Sequence, residues 1–242
     1  MQVWSWTGFF EYLTNPFIIG GAITTLWLTL AAIVGGLILG FILAMMKISK
    51  NPLLSAPASA YIWLFRGTPL LVQLIVIYTG LPQFGIRLSV LESALIGLIL
   101  NEAAYLAEIV RAGVGAVPAG QVNAARAVGM REPQIMRYII MPQALRIIIP
   151  PLGNSVNGLL KTTSVTSVIS MEELLRRTQV LIQEKFMVLE LFAVAAIYYL
   201  VLTTLWDFVQ RSIEKRYAKA YQQVSTSKSS KLPKIGAPAE QR

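Results

Sequence analysis

The chain has 242 residues, 55% of them hydrophobic and only 14% charged, with 21 Lys and Arg against 12 Asp and Glu for a formal net charge of +9. Several apolar runs of about twenty residues exclude a soluble core and make it an integral membrane protein. Without cysteine or histidine, disulfides, thiolate metal sites and histidine acid–base chemistry are removed; the basic residues cluster beside apolar runs, where they orient helices and meet anionic headgroups rather than nucleic acid.

Five spans are predicted in chain order. The first covers 17–46, carries no charge before its end and contains Gly35, Gly36 and Gly40; it is too long for a signal peptide's apolar region and lacks a basic leader. The second covers 56–80, the third 91–113, the fourth 145–170 and the fifth 188–209. These lengths fit a hydrocarbon core of about 30 Å at about 1.5 Å per residue, with length left for tilt. The fold class is therefore an all-α membrane protein, with a leading segment 1–16, a membrane domain 17–215 and a basic tail 216–242. The leading segment holds only Glu11, the next loop holds Lys47 and Lys50, and the 111–146 stretch holds five arginines. Alternate loops are basic, which places the N-terminus outside and the C-terminus in the cytoplasm. Past Tyr221 the Ser, Lys and Pro composition lacks apolar periodicity and predicts a disordered tail.

Charges at membrane depth cost several kcal/mol unless they meet a partner or a water-filled cavity. Arg66 in span two, Glu102 and Glu108 in span three and Lys161 in span four are such charges, and Arg66 is placed to pair with either glutamate. Arg66-Gly67-Thr68-Pro69 is expected to break span two and Pro150-Pro151 span four, as bending points or as static kinks. In span four Asn154, Asn157, Lys161 and Ser164 recur at i, i+3, i+7 and i+10, one face of a helix; in span three Asn101, Tyr105 and Glu108 share a face, with Glu102 adjoining. A polar cavity between the two helices is expected, the alternative for the asparagines and Ser164 being helix-to-helix hydrogen bonds.

Between spans three and four, Asn123-Ala124-Ala125-Arg126-Ala127-Val128-Gly129 followed by Ile139-Ile140-Met141-Pro142 reads as a helix, a glycine break and a second helix start. Small alanines permit close approach, Gly129 takes positive φ, and Pro133 suits a new first turn. Such a segment is a docking lug. Gly153-Asn154-Ser155-Val156-Asn157-Gly158 with Lys161 imitates a phosphate-binding loop, but the lysine comes two positions late and inside an apolar span. Any nucleotide energy must therefore come from another polypeptide, and the chain is not an enzyme.

The 123–142 segment resembles the cytoplasmic signature loop of the membrane subunits of ABC importers: Glu-Ala-Ala, three residues, Gly, nine residues, Ile-x-Leu-Pro. Spacing agrees throughout, with Asn123 in place of the family's Glu and Met141 in place of its Leu. The segments Phe65-Arg66-Gly67-Thr68-Pro69-Leu70-Leu71-Val72-Gln73, Ala104 to Arg111, Val117-Pro118-Ala119-Gly120-Gln121 and Pro142-Gln143-Ala144-Leu145-Arg146 narrow the resemblance to the polar amino acid branch, over residues 15–215 or so.

The resemblance implies a type I importer permease in the cell's inner membrane, with a cytoplasmic coupling helix between helices 3 and 4. It implies a homodimer or a heterodimer with a paralogue, two ABC ATPase subunits that bind Mg-ATP, an extracytoplasmic solute-binding protein, and no cofactor in this chain. The 120–142 loop becomes the contact with the ATPase, through Gly120, Gln121, Asn123, Ala124, Ala125, Gly129 and Pro142, while Arg66, Gly67, Thr68, Pro69 and Glu108 fall to structure and gating. The cavity candidates for a polar amino acid are Glu102, Asn101, Tyr105, Asn154, Asn157, Lys161 and Ser155. Related permeases for basic substrates often carry a carboxylate at the place of Ser155, so either Glu102 replaces it from the facing helix or the substrate is neutral or acidic. The alternative function is an ion-coupled secondary carrier using Glu102, Glu108 and Lys161 as a relay.

Overall fold

The structure is a computed structural model describing residues 4–229, with side chains through Tyr217. A short helix α1 (Trp6–Leu13) leads into α2 (Pro16–Ile48), started by the Asn15 side chain accepting from the Phe17 N–H at 2.9 Å and by Pro16 in the first turn. The two faces of α2 differ. Ile23, Leu30, Val34 and Ile38 are exposed, while Thr25, Leu28, Ala32, Gly36 and Gly40 are buried, a helical period that turns the glycines toward α5 (Val90–Gly115). Among the described residues no other two helices pack together more extensively. A Cβ on Gly40 would sit 2.9 Å from the Ala103 carbonyl oxygen, so the backbones meet there only because glycine has none.

The second predicted span is two helices rather than one. α3 (Pro52–Gly67) and α4 (Leu70–Ile75), which continues through a wide π turn and a 3-10 turn to Phe84, are bent by 105° at the break. Its cause is local: Thr68 is extended at φ −119° and ψ 144° because it precedes Pro69, and Pro69 is itself extended. The freed polar groups are tied by Gln73, whose Nε2 donates to the Phe65 carbonyl at 2.9 Å, the Thr68 carbonyl at 3.1 Å and the Thr68 hydroxyl at 2.8 Å.

After α5, α6 (Ala119–Ala127) lies in the loop, followed by α7 (Glu132–Ile135), a π turn over 136–140 and α8 (Met141–Thr162), ending in a 3-10 turn to Ile169. The fourth span thus begins at Glu132, well before residue 145. Pro150 and Pro151 do not break it. Both lie inside α8, where each removes an N–H donor and crowds the carbonyl four residues back without ending the helix; the irregular turn falls earlier, just ahead of Pro142.

Helix α9 (Leu174–Lys185) sits between the fourth and fifth spans and packs on α2 and α10 (Val188–Ser229). The side chain of Glu173, fully buried, caps it by accepting from the Arg176 N–H at 2.8 Å; its other oxygen accepts from the hydroxyls of Tyr199 at 3.0 Å and Thr25 at 3.3 Å. Burial pushes this carboxyl above the usual range, against the lowering effect of those bonds. Helix α10 runs past the predicted end of the fifth span; of the predicted tail, residues 230–242 lie outside the described residues. Among the described residues four helices are long and apolar enough to cross a membrane, or five with the bent pair.

Candidate functional site: a polar cavity and an exposed loop

The α3–α4 break, α5 and α8 enclose an open cavity of about 710 Å³. Four of the predicted cavity residues line it: Asn101, Glu102 and Tyr105 from α5, and Ser155 from α8. Glu102 is only 8% exposed, has no ion-pair partner among the described residues, and leaves Oε1 without a hydrogen bond. Ser155 of α8 is the polar side chain beside it on the cavity wall. A buried carboxylate so poorly compensated is costly, which makes it the group in this wall with most to gain from a cation.

About two turns along α5, Glu108 is the opposite case. It accepts from Lys47 Nζ at 2.6 Å and Arg111 Nη2 at 3.0 Å, and Arg66 Nη1 stands 3.9 Å away. Arg66 therefore meets Glu108 and not Glu102, and its guanidinium also lies 5.4 Å above the Tyr105 ring. One carboxylate against three cations leaves this end of the cavity positive.

Asn101 is partly committed elsewhere, since its Nδ2 donates to Gln73 Oε1 at 3.1 Å and to the Phe65 carbonyl at 3.3 Å. It joins the cavity wall to the hinge. Asn154, Asn157 and Lys161 do not line the cavity among the described residues. Asn157 donates to Asp207 at 2.6 Å and Asn154 accepts from Gln210 at 3.4 Å, so this face meets α10 rather than α5. Lys161 is exposed, lies off the cavity lining and pairs with neither glutamate among the described residues, so the relay Glu102, Glu108, Lys161 is not assembled. In the sequence Asp207 has no assigned role and Gln73 only a place in a motif; a lone aspartate inside an apolar run and a glutamine just after a proline break are the available signals.

In the loop, Gly129 has φ +82°, and Met130 N–H bonds the Ala125 carbonyl at 3.1 Å, closing α6 as predicted for a glycine stop. Arg126 grips Glu132 with Nε at 2.6 Å and Nη2 at 3.2 Å, and its Nη1 stands 3.5 Å from Asn123 Oδ1. Glu132 is thus spent on clamping α6 to α7. Gln121 accepts from Gln143 at 2.6 Å, which ties the loop to α8 beside Pro142. Ala125 faces inward at 6% exposure, whereas Gly120, Ala124 and Val128, spaced by four, are exposed together with Asn123 and Gly129.

Membrane-crossing helices around a polar cavity, with a clamped helical lug projecting from one end, define the membrane subunit of a transporter. Residues 36–219 match the family described as binding-protein-dependent transport system inner membrane component, and the chain belongs to it. It is similar to the arginine transport system permease protein ArgU of Corynebacterium glutamicum, 39% identical over 94% of this chain and 76% of that protein. It is similar also to the "Probable amino-acid ABC transporter permease protein YckA" of Bacillus subtilis, 36% identical over 86% of this chain and 96% of that one. Among solved structures, one described as an amino acid ABC transporter with histidines has 38% identity and a TM-score of 0.83, covering 89% of this chain and all of that one. An inward-facing MetNI methionine transporter shares the fold at 20% identity and a TM-score of 0.72, covering 83% and 96%. The chain is the permease component of a binding-protein-dependent amino acid ABC importer, a multi-pass inner membrane protein without ATPase activity or cofactor of its own, working with ATPase and binding-protein partners.

Proposed function

We propose that the importer carries amino acids with a cationic side chain, such as arginine, lysine, ornithine or an opine built on them, and that Glu102 receives that charge. The observation that carries this reading is the buried, ion-unpaired carboxylate of Glu102 on the cavity wall, with Ser155 of α8 beside it. Related permeases for basic substrates often place a carboxylate at the position of Ser155, and here a carboxylate reaches the same place from the facing helix. The 39% identity to an arginine transport permease supports the same class.

The working unit is a permease dimer with two ATPase subunits, the N-terminus outside and the loop in the cytoplasm, as the distribution of basic residues favours. The exposed stripe Gly120, Ala124 and Val128 seats the loop on the ATPase, and the Arg126–Glu132 clamp stiffens it so that closure of the ATPase dimer moves α5 and α8 and alternates access to the cavity. Asn123 offers that partner a neutral amide where the family has a charge.

The test is ATP hydrolysis by the reconstituted complex with its binding protein, surveyed over the proteinogenic amino acids and opines. Stimulation by a cationic amino acid should fall at least about 30-fold in Glu102→Gln, equivalent to about 2 kcal/mol for a lost buried charge contact, with assembly intact. Stimulation confined to neutral or acidic amino acids, or unchanged in the variant, refutes the assignment.

A further inference from the structure

The cavity has a second charged end that the Glu102 reading leaves unused. Arg66 lines it with 44% of its side chain exposed, and among the described residues its guanidinium makes no hydrogen bond: it has only the 3.9 Å approach to Glu108 and the 5.4 Å ring contact with Tyr105. Glu108 is already saturated by Lys47 and by a bidentate grip from Arg111, whose Nε and Nη2 reach Oε2 at 3.2 and 3.0 Å. The Arg66 fork is therefore an always-charged donor set open to the cavity, with its hydrogen bonds unspent among the described residues and its direction set by the ring beneath it, and it suits a planar carboxylate.

We infer that Arg66 is a specificity-determining residue that binds the α-carboxylate of the substrate while Glu102 holds the cationic end. The inference rests on the Glu102 reading and adds a ruler to it. Six residues separate Glu102 from Glu108 on α5, an axial distance of about 9 Å at about 1.5 Å per residue, with Tyr105 between them. A cation and a carboxylate at opposite ends of an extended side chain span that gap; a compact zwitterion, with both charges on one carbon, meets only one end at a time. Length selection thus follows from one charge on α5 and a second at the end of α3, held beside Glu108 at 3.9 Å, without a carboxylate on α8.

The experiment is equilibrium binding of radiolabelled L-arginine and of agmatine, which is arginine without its carboxylate, to the permease–ATPase complex in nanodiscs with no binding protein present. Wild type should prefer arginine by at least about tenfold. Arg66→Gln should bind agmatine as wild type does and hold arginine within about twofold of it, while Arg66→Lys, which keeps the charge, retains a preference for arginine. Glu102→Gln should weaken both ligands together. A wild type that does not discriminate, an Arg66→Gln that keeps the full preference, or a parallel loss of both ligands in Arg66→Gln and Arg66→Lys overturns the role of Arg66. If Glu102→Gln weakens both ligands in those cases, the cavity reading stands and only the carboxylate contact falls; if neither ligand binds wild type, both fall.

Discussion

Replacing Gln73 by leucine, nearly the same volume without the amide, should loosen the hinge between α3 and α4. Gln73 is 9% exposed, and its amide serves the Phe65 carbonyl, the Thr68 carbonyl and the Thr68 hydroxyl while accepting from Asn101. After the change the Phe65 carbonyl keeps the Asn101 amide at 3.3 Å, but the Thr68 carbonyl loses its side-chain donor. A hydrogen bond inside a membrane protein averages about 0.6 kcal/mol, and a buried polar group left unsatisfied costs about 1–3 kcal/mol. One such bond and one unsatisfied carbonyl together come to about 2–4 kcal/mol, which at about 2–4 °C per kcal/mol for a chain of this size lowers Tm by about 4–16 °C. Thermal unfolding of the purified permease in detergent reads it. Asn101→Leu should cost less, and the double variant less than the sum, because the two amides share one hydrogen bond. A drop below about 1 °C, or strict additivity, would refute the claim that this amide pair holds the broken span.

Three further outcomes follow from the packing. Gly40→Val forces a branched side chain against the Ala103 carbonyl, 2.9 Å from where its Cβ must lie, and should cost about 1–3 kcal/mol in the same melting assay. At Gly129, φ +82° with open space around it means that valine is strained by its backbone alone, so Gly129→Val should lower transport per ATP hydrolysed several-fold while Gly129→Asn, which tolerates this region, stays near wild type. For Glu173, whose carboxyl is raised above the usual range mainly by burial, the folded state holds its proton more tightly than the unfolded state. Its contribution is therefore fully present below the unfolded pKa and is lost as pH rises through the folded one. Glu173→Gln should remove that loss, so its Tm relative to wild type should increase with pH; a difference that stays flat or shrinks contradicts the assignment.

The apolar runs were sufficient for four long spans, and for a fifth where the bent pair counts as one, because membrane insertion depends on local composition; the short helices α1 and α9 carry no such signal. The glycine stop at Gly129 and the Thr68-Pro69 break were legible for a similar reason, since each follows from the φ that one or two residues allow. What sequence could not place was rotation about a helix axis. The stripe Asn154, Asn157 and Lys161 was rightly one face of α8, but which neighbour it faces depends on the crossing of α8 with α10, where Asp207 and Gln210 wait. The same holds in miniature at the loop, where Ala125 turns inward and Ala124 outward although both are small and adjacent. Pro150 and Pro151 misled in the other direction as a break, since α8 runs through both of them. Arg66 had two possible acids on α5, and only the angle of α3 selected Glu108.

The most direct test of the account is uptake of radiolabelled arginine into proteoliposomes, comparing the permease alone under an imposed proton or sodium gradient with the permease joined by its ATPase and binding protein and supplied with ATP. Accumulation only in the second arm, and its loss in Glu102→Gln, is the predicted result. Gradient-driven accumulation by the permease alone would contradict it.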